Sequence, residues 1–380
     1  MATKSISELK DSEKTWKKAA EALFFLVVLA AVFSAIFFGG NAISGLLESG
    51  ANSYVLPIFT FVGAAIPVPF AQTISKGLYS GIVLGLGLVV SYLVFFHFLM
   101  ALLEESNFIA RVSHDADFLF RKIGLSGRAT IPLLLGFGCT VPAVLGARTA
   151  KNDNERIAIG FLSLFLPCAA RTSVILALVG AFLGPLMALA VYLIDALLVL
   201  AIGLGVNRVL SLKPGKPVFA KPPYKIPNLR IAAYKAYYET LEFVQISLPW
   251  LVAGAVLVEV LGTTGLLDAI GGLAKPLLAS LFGLPPITFI PLVFGIVRGE
   301  LAIAMLAAVG KTADFSLLLT PRQMIIFAVI SMIYVPCLST LAALIKEFGK
   351  RNAAIIVAVN AAITLAVGVG LNLLLSLFLA

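Results

Sequence analysis

Three cysteines are all this chain has, and each interrupts an apolar run. Cys139 lies in LLLGFGCTVPAVLGART, Cys168 in FLPCAAR and Cys337 in YVPCLST. Pro167 and Pro336 directly precede two of them, and each frees the carbonyl one turn back. Around Cys139, Pro132 and Pro142 remove helix donors while Gly136 and Gly138 loosen the backbone. Freed carbonyls, the Thr140 hydroxyl and three thiols together suit a soft or borderline cation, with Fe(II), Cu(I) and Zn(II) all fitting by softness. Taken singly, each cysteine reads more simply as packing, because cysteine is among the most buried residue types. A Gly-rich kink also reads as close helix packing. The case for chemistry rests on all three sharing one kind of position.

A second constellation is Arg298 and Glu300 in VFGIVRGELAIAML. Ionisable groups in such surroundings are costly and face a pathway or each other; a purely structural Arg–Glu pair is the competing reading. Arg171, three residues after Cys168, is either a partner for a carboxylate or a snorkelling terminus. Glu104, Glu105 and Glu259 lie near the ends of apolar runs. Asp195 sits inside one, with a partner that the sequence does not name. His97 and His114 read as packing and loop. Gly310-Lys311-Thr312 imitates the tail of a phosphate loop, but Met305 stands where the leading glycine belongs and no strand precedes it. No nucleophile–base pairing is visible, so the chain does not read as an enzyme.

The elements that must hold these residues are membrane helices. Of 380 residues, 60% are hydrophobic and 12% charged, and mean hydropathy is +1.05. A soluble domain carries about 25% charge. The +9 net charge then reads as basic loops that set orientation, not as a nucleic-acid surface. An odd cysteine count argues against a disulfide framework, and no secretory signal is evident. Spans are predicted over 20–39, 80–103, 157–178, 182–205, 246–262, 323–345 and 352–378. Three less regular apolar stretches occupy 51–71, 129–147 and 285–309. The fold class is an all-α polytopic membrane protein, about 7–8 transmembrane helices in two inverted repeats, each with a broken or re-entrant gate element. The expected parts are a cytoplasmic amphipathic lead (1–19) and a first helix with an apolar segment (20–79). Gate repeat 1 (80–205), a basic Pro-rich cytoplasmic linker (206–245) and gate repeat 2 (246–380) follow.

Two observations support that division. Seven full spans and two re-entrant elements place every basic cluster, from the N-terminal lysines to Lys346, Lys350 and Arg351, on the cytoplasmic side. The halves also match each other: Gly124-Leu125 with Gly283-Leu284, Ile131-Pro132 with Ile290-Pro291, Gly136 with Gly295 and Cys139 with Arg298 all fall at one offset, and Pro167-Cys168 matches Pro336-Cys337. Three crossings per half invert the second half, and inverted repeats with broken helices are the plan of a secondary transporter.

The segment LLEESNFIARVSHDADFLFRKIGLSGRATIPLLLGFGCTVPAVLGART closely resembles the first gate region of FeoB-type ferrous iron transporters. PPYKIPNLR resembles the cytoplasmic linker of that family, and VRGE and YVPCLSTLAALIKEFG its second gate. The resemblance runs in order over 15–378, and GLSG…GFGC…VPA…RT is its most specific block. It implies Fe(II) moved across the cytoplasmic membrane, with Cys139, Cys168, Cys337 and Glu300 as metal-path residues. The residues themselves add Thr140 to that path, and Gly136, Gly138, Pro142, Pro167, Pro336, Arg171 and Arg298 as residues that shape the gates. Thr140 stands where the family usually has Asn, PCAARTSV replaces SC-(G/S)-ARLPV, and Gly299 replaces the Lys of RKE. The family's GTP-binding domain has no counterpart in this sequence, so a stand-alone membrane half is expected. The expected partners are the bilayer, the metal ion, a separate G protein or small cytoplasmic regulator, and a second copy in a homo-oligomer. No cofactor is expected to be held permanently. The alternatives are a nucleoside-like or other transition-metal permease, and a non-transporting membrane subunit.

Overall fold

The computed structural model describes residues 71–82, 91–150, 152–212, 223–265, 278–312 and 314–378, with isolated positions elsewhere. The expected lead, first span and most of the 51–71 stretch lie outside the described residues, as do Lys213, Lys216 and Lys221 of the linker. Among the described residues the structure is all helical, with no strand.

In chain order the helices are α1 (Ala71–Ile82), α2 (Ser91–Glu105), α3 (Phe108–Lys122), α4 (Thr130–Gly136), α5 (Thr140–Gly146), α6 (Asp153–Leu162) and α7 (Ala169–Ile175). A π-helical turn over Leu176–Gly180 continues α7. Then come α8 (Pro185–Leu210), α9 (Leu229–Thr263), α10 (Phe289–Val297), α11 (Leu301–Gly310), α12 (Pro321–Ile333) and α13 (Leu338–Phe378). Local chemistry marks the starts. Asn152 caps α6 by accepting from the Glu155 N–H, Asn228 caps α9, and Thr320 with Gln323 forms a capping box on α12. Pro185 opens α8 behind Gly184, whose φ of 92° only glycine adopts at no cost.

The polarity of α8 is inside out. Leu186, Leu189, Leu193, Leu197 and Leu204 form an exposed stripe at helical spacing, while Asp195 is buried on the opposite face. In α13, Leu365, Leu373 and Leu377 are exposed and Asn360, Thr364 and Asn372 are buried. Exposed leucine over a buried carboxylate or amide is the polarity that lipid favours. Two stretches, Pro185–Leu210 and Pro321–Leu377, are long and apolar enough to cross a membrane. The 26 residues of α8 reach about 39 Å, more than the roughly 30 Å hydrocarbon core.

Two predicted spans are not continuous helices. Residues 157–178 divide into α6 and α7 around 163–168, and 323–345 divide into α12 and α13 around 334–337. Proline removes an N–H and clashes with the preceding turn, so Pro167 and Pro336 stop a helix that hydropathy alone would extend. Every residue of α12 from Met324 to Ile333 is buried, so it is the central helix. Its 13 residues cover about 20 Å, less than a roughly 30 Å hydrocarbon core. Gly349, with φ 77°, bends α13. The α9 helix begins at Leu229, within the segment read as linker, and runs unbroken past Pro249.

At one face an ion network joins distant elements. Glu347 on α13, its side chain only 6% exposed, receives Arg156 of α6 at 2.8 Å and Arg148 at 3.5 Å. Glu242 of α9 receives Arg148 at 3.4 Å and Lys346 at 3.1 Å. The two carboxylates should differ sharply in worth. Glu347→Gln should lower stability by about 1.5–3 kcal/mol, because its charged hydrogen bonds are shielded from water. Glu242→Gln, at an exposed pair, should change it by less than about 1 kcal/mol. Thermal unfolding of both variants in detergent checks this, and equal effects would refute it.

Candidate functional site at the converging helix breaks

Four interruptions meet around the start of α7. The first separates α4 from α5, where Cys139 is extended (φ −148°, ψ 133°) and its N–H still closes the helix by donating to the Leu135 carbonyl at 3.0 Å. The second separates α10 from α11. There Arg298 takes the same conformation (φ −157°, ψ 129°) and its N–H donates to the Phe294 carbonyl at 3.1 Å. The other two are the proline breaks, at Pro167-Cys168 and Pro336-Cys337. Their echo extends into the hydrogen bonds: the Thr172 N–H donates to the Cys168 carbonyl at 2.8 Å, and the Leu341 N–H to that of Cys337 at 2.9 Å.

The breaks touch one another through backbone. The Ala169 N–H donates to the Gly138 carbonyl at 3.0 Å, tying the first break to the Cys168 loop. At the second break, a Cβ on Gly299 would stand 3.2 Å from the Ala170 Cβ. Any side chain there would need Ala170 to move by a few tenths of an ångström. Arg171 joins the two proline breaks. Buried at 6% exposure, it donates through Nη1 to the Leu164 carbonyl at 2.5 Å and through Nη2 to the Tyr334 carbonyl at 3.4 Å. Among the described residues Arg171 forms no salt bridge and does not snorkel; it satisfies carbonyls that the breaks release.

The remaining predicted residues fall around this core. Arg298 and Glu300 form an ion pair, yet Arg298 Nη1 and Glu300 Oε2 are buried without a hydrogen-bond partner. Cys139 lies within electrostatic reach of Cys168, Cys337 and Arg298, and Cys168 within reach of Cys337 and Glu300. The three thiols are free and half-buried. The expected ligand set is not assembled in this arrangement. Among the described residues no three His, Cys, Asp or Glu side chains are grouped closely enough to hold a metal ion. Each cysteine is on a different break, and the Cys337 Sγ sits 3.1 Å from the Thr340 hydroxyl. Thr140 is buried in the first turn of α5, Gly136 is buried at the end of α4, and Pro167 and Pro336 are buried within the breaks. His97 is a packing residue, its Nδ1 3.0 Å from the Thr240 hydroxyl.

Sequence reading missed the residues that support the breaks. Asn360 and Thr364 of α13 both donate to the Ile333 carbonyl at 2.9 Å, and the Tyr334 hydroxyl donates to the Leu292 carbonyl at 3.2 Å. Polar residues four apart in an apolar helix were the available signal for the first two. A Cβ at Gly295 would fall 2.2 Å from the Tyr334 hydroxyl, so that glycine exists to admit the tyrosine.

This interrupted pattern matches a known family profile, Gate, described as nucleoside recognition, over residues 86–182 and 245–351. That is more than half of the chain. The chain belongs to the Gate family. The two matched segments contain all four breaks. Among curated proteins, it is 26% identical to "Fe(2+) transporter FeoB" of Staphylococcus aureus (strain COL) over 350 residues, 85% of this chain and 52% of that protein. It is 28% identical to the protein of the same name from Methanocaldococcus jannaschii, over 73% of this chain and 46% of the relative. The Helicobacter pylori protein of that name is 30% identical over 62% and 37%. The chain therefore spans about half the length of the curated relatives that it matches. No solved structure matches it.

Proposed function

We propose that this Gate-family chain is a membrane permease for a divalent metal, ferrous iron first. The observation that carries the reading is the meeting of four helix interruptions, three bearing a cysteine, around Arg171. Irregular backbone at membrane depth is tolerated where it lines a cavity or is buried in protein. The matched conformations of Cys139 and Arg298 support two repeats, and an odd number of crossings per half would make them inverted. Iron is the substrate here. Cys139, Cys168, Cys337 and Glu300 would bind it in turn or together as the breaks shift, with Thr140 and the carbonyls near Pro167 and Pro336 replacing part of its water shell. Arg298 holds Glu300 until cargo arrives, and the unpartnered Glu300 oxygen is the atom best placed to change partners. Energy would come from an ion gradient or from a separate G protein, with a small cytoplasmic regulator or a second copy as further partners. The N-terminus would lie in the cytoplasm.

The family description favours a second reading, a nucleoside permease. Against it, the polar side chains at the breaks are mostly spent on backbone carbonyls, leaving few for a base or ribose.

Anaerobic uptake into proteoliposomes tests both. Fe(II) should enter in preference to Mn(II), Zn(II) and Co(II). A Cys139→Ser, Cys168→Ser, Cys337→Ser variant should lose at least about 90% of it, since hydroxyls are poor ligands for softer metals. Undiminished Fe(II) uptake by the folded variant would remove the thiols from the path, and uptake of labelled nucleosides instead would select the second reading.

A further inference from the structure

Asp195 is the least expected residue in α8. It is 3% exposed, in the middle of a helix whose other face is lipid-facing leucine. Its Oδ1 is buried with no hydrogen-bond partner. The charged group that acts on it is Arg171, whose Nη1 and Nη2 are committed to the Leu164 and Tyr334 carbonyls. Tyr192, one turn back on α8, lies within electrostatic reach of both Asp195 and Cys168. Toward its C-terminal end α8 meets Ile123 and Gly124 through Gly203 and Asn207, which brings Arg121 and Lys122 of α3 about two turns from Asp195. The π turn 176–180 has no titratable residue, α12 has only Arg322 in its first turn, bonded to Asn372, and α6 has Asp153, Glu155 and Arg156 only in its first turn.

A carboxylate so placed has two ways to avoid an uncompensated buried charge: gain a proton or gain Arg171. Arg171 has a matching choice between the carbonyls of two breaks and a carboxylate. We propose that Asp195 is a proton-binding site of the gate, exchanging its proton for Arg171 as the breaks rearrange. With the proton on Asp195, Arg171 stays on Leu164 and Tyr334 and clasps the proline breaks together. When the carboxyl releases its proton to water, Arg171 turns to the carboxylate and the two carbonyls come free. One proton binds and one leaves per cycle, with no redox change. This deepens the permease reading, because it supplies an ion gradient as the driving force.

The first test uses no metal. Infrared difference spectra of the full chain in lipid nanodiscs, acid minus alkaline, should show a protonated-carboxyl stretch that Asp195→Asn lacks. In Arg171→Lys the pH midpoint of that component should move by about one unit or more, because the nearby charge is repositioned. If Asp195→Asn fails to elute as a single species, Asp195→Glu replaces it, and a displaced stretch then marks the site. Identical spectra for wild type and variant would overturn the proposal, as would a stretch present at every pH. The second test is metal uptake under an imposed pH gradient. Stimulation several-fold in wild type and none in Asp195→Asn is expected, while equal stimulation in both would overturn the coupling. A titrating carboxyl in a chain that moves no metal would leave the proton site standing and sink the iron reading alone.

Discussion

Arg171→Met should stop transport and destabilise the chain by about 3 kcal/mol, the sum expected when charged hydrogen bonds to two buried carbonyls are lost. Arg171 is buried, and its two terminal nitrogens reach carbonyls on different proline breaks. Methionine fills similar volume but donates nothing, so the Leu164 and Tyr334 carbonyls lose a donor in a place water reaches poorly. Arg171→Lys should fall between. A single ammonium keeps the charge but does not reproduce the planar fork that reaches both carbonyls. Thermal unfolding in detergent and uptake in proteoliposomes should therefore rank wild type above Lys and Lys above Met. A methionine variant that unfolds and transports like wild type would show that the clasp is incidental.

How much of this arrangement the sequence carried depends on the kind of signal. The break at Gly138-Cys139 was legible because glycine and proline act on the backbone locally, and the structure puts the interruption there. The echo at Arg298 was legible for the same reason, through Gly295 and the shared spacing. The proline breaks were half legible. Pro167 and Pro336 were recognised as freeing carbonyls, yet the runs around them are so apolar that hydropathy continued the helices through them. The carbonyl partners were not legible. Arg171 meets Tyr334 across 163 positions, and Arg156 meets Glu347 across 191, which are tertiary facts that no local pattern encodes. The same holds for Asp195, whose neighbour is set by how α8 packs against α7. Cysteine type was a guide to position but not to convergence. The three thiols lie near each other in charge interactions without forming a ligand group, because each is fixed by its own break.

The second large effect should come from one methyl group at Gly138. A Cβ built there would fall 1.8 Å from Cε2 of Phe96 and 2.3 Å from its Cζ, distances that no side chain tolerates. The Phe96 ring is 7% exposed and belongs to the main hydrophobic cluster, so it has little room to retreat. The strain must go either into that cluster or into the first break, whose Gly138 carbonyl holds the Ala169 N–H. Either way Gly138→Ala should cost about 1–3 kcal/mol, the usual range for overpacking, and uptake should fall with it. Phe96→Leu makes space by removing part of the ring, so Gly138→Ala with Phe96→Leu should be more stable than the sum of the two single effects implies, a coupling expected of residues in contact. Gly205→Ala is the control. That glycine lies in α8 with nothing within 4 Å of the added Cβ, and alanine there should raise stability by up to about 1 kcal/mol through helix propensity. Unfolding of these four variants in one detergent separates a steric role for Gly138 from a general sensitivity to losing glycine. If Gly138→Ala behaves like Gly205→Ala, the ring does not wedge the break, and the close approach of α2 carries no weight in shaping it.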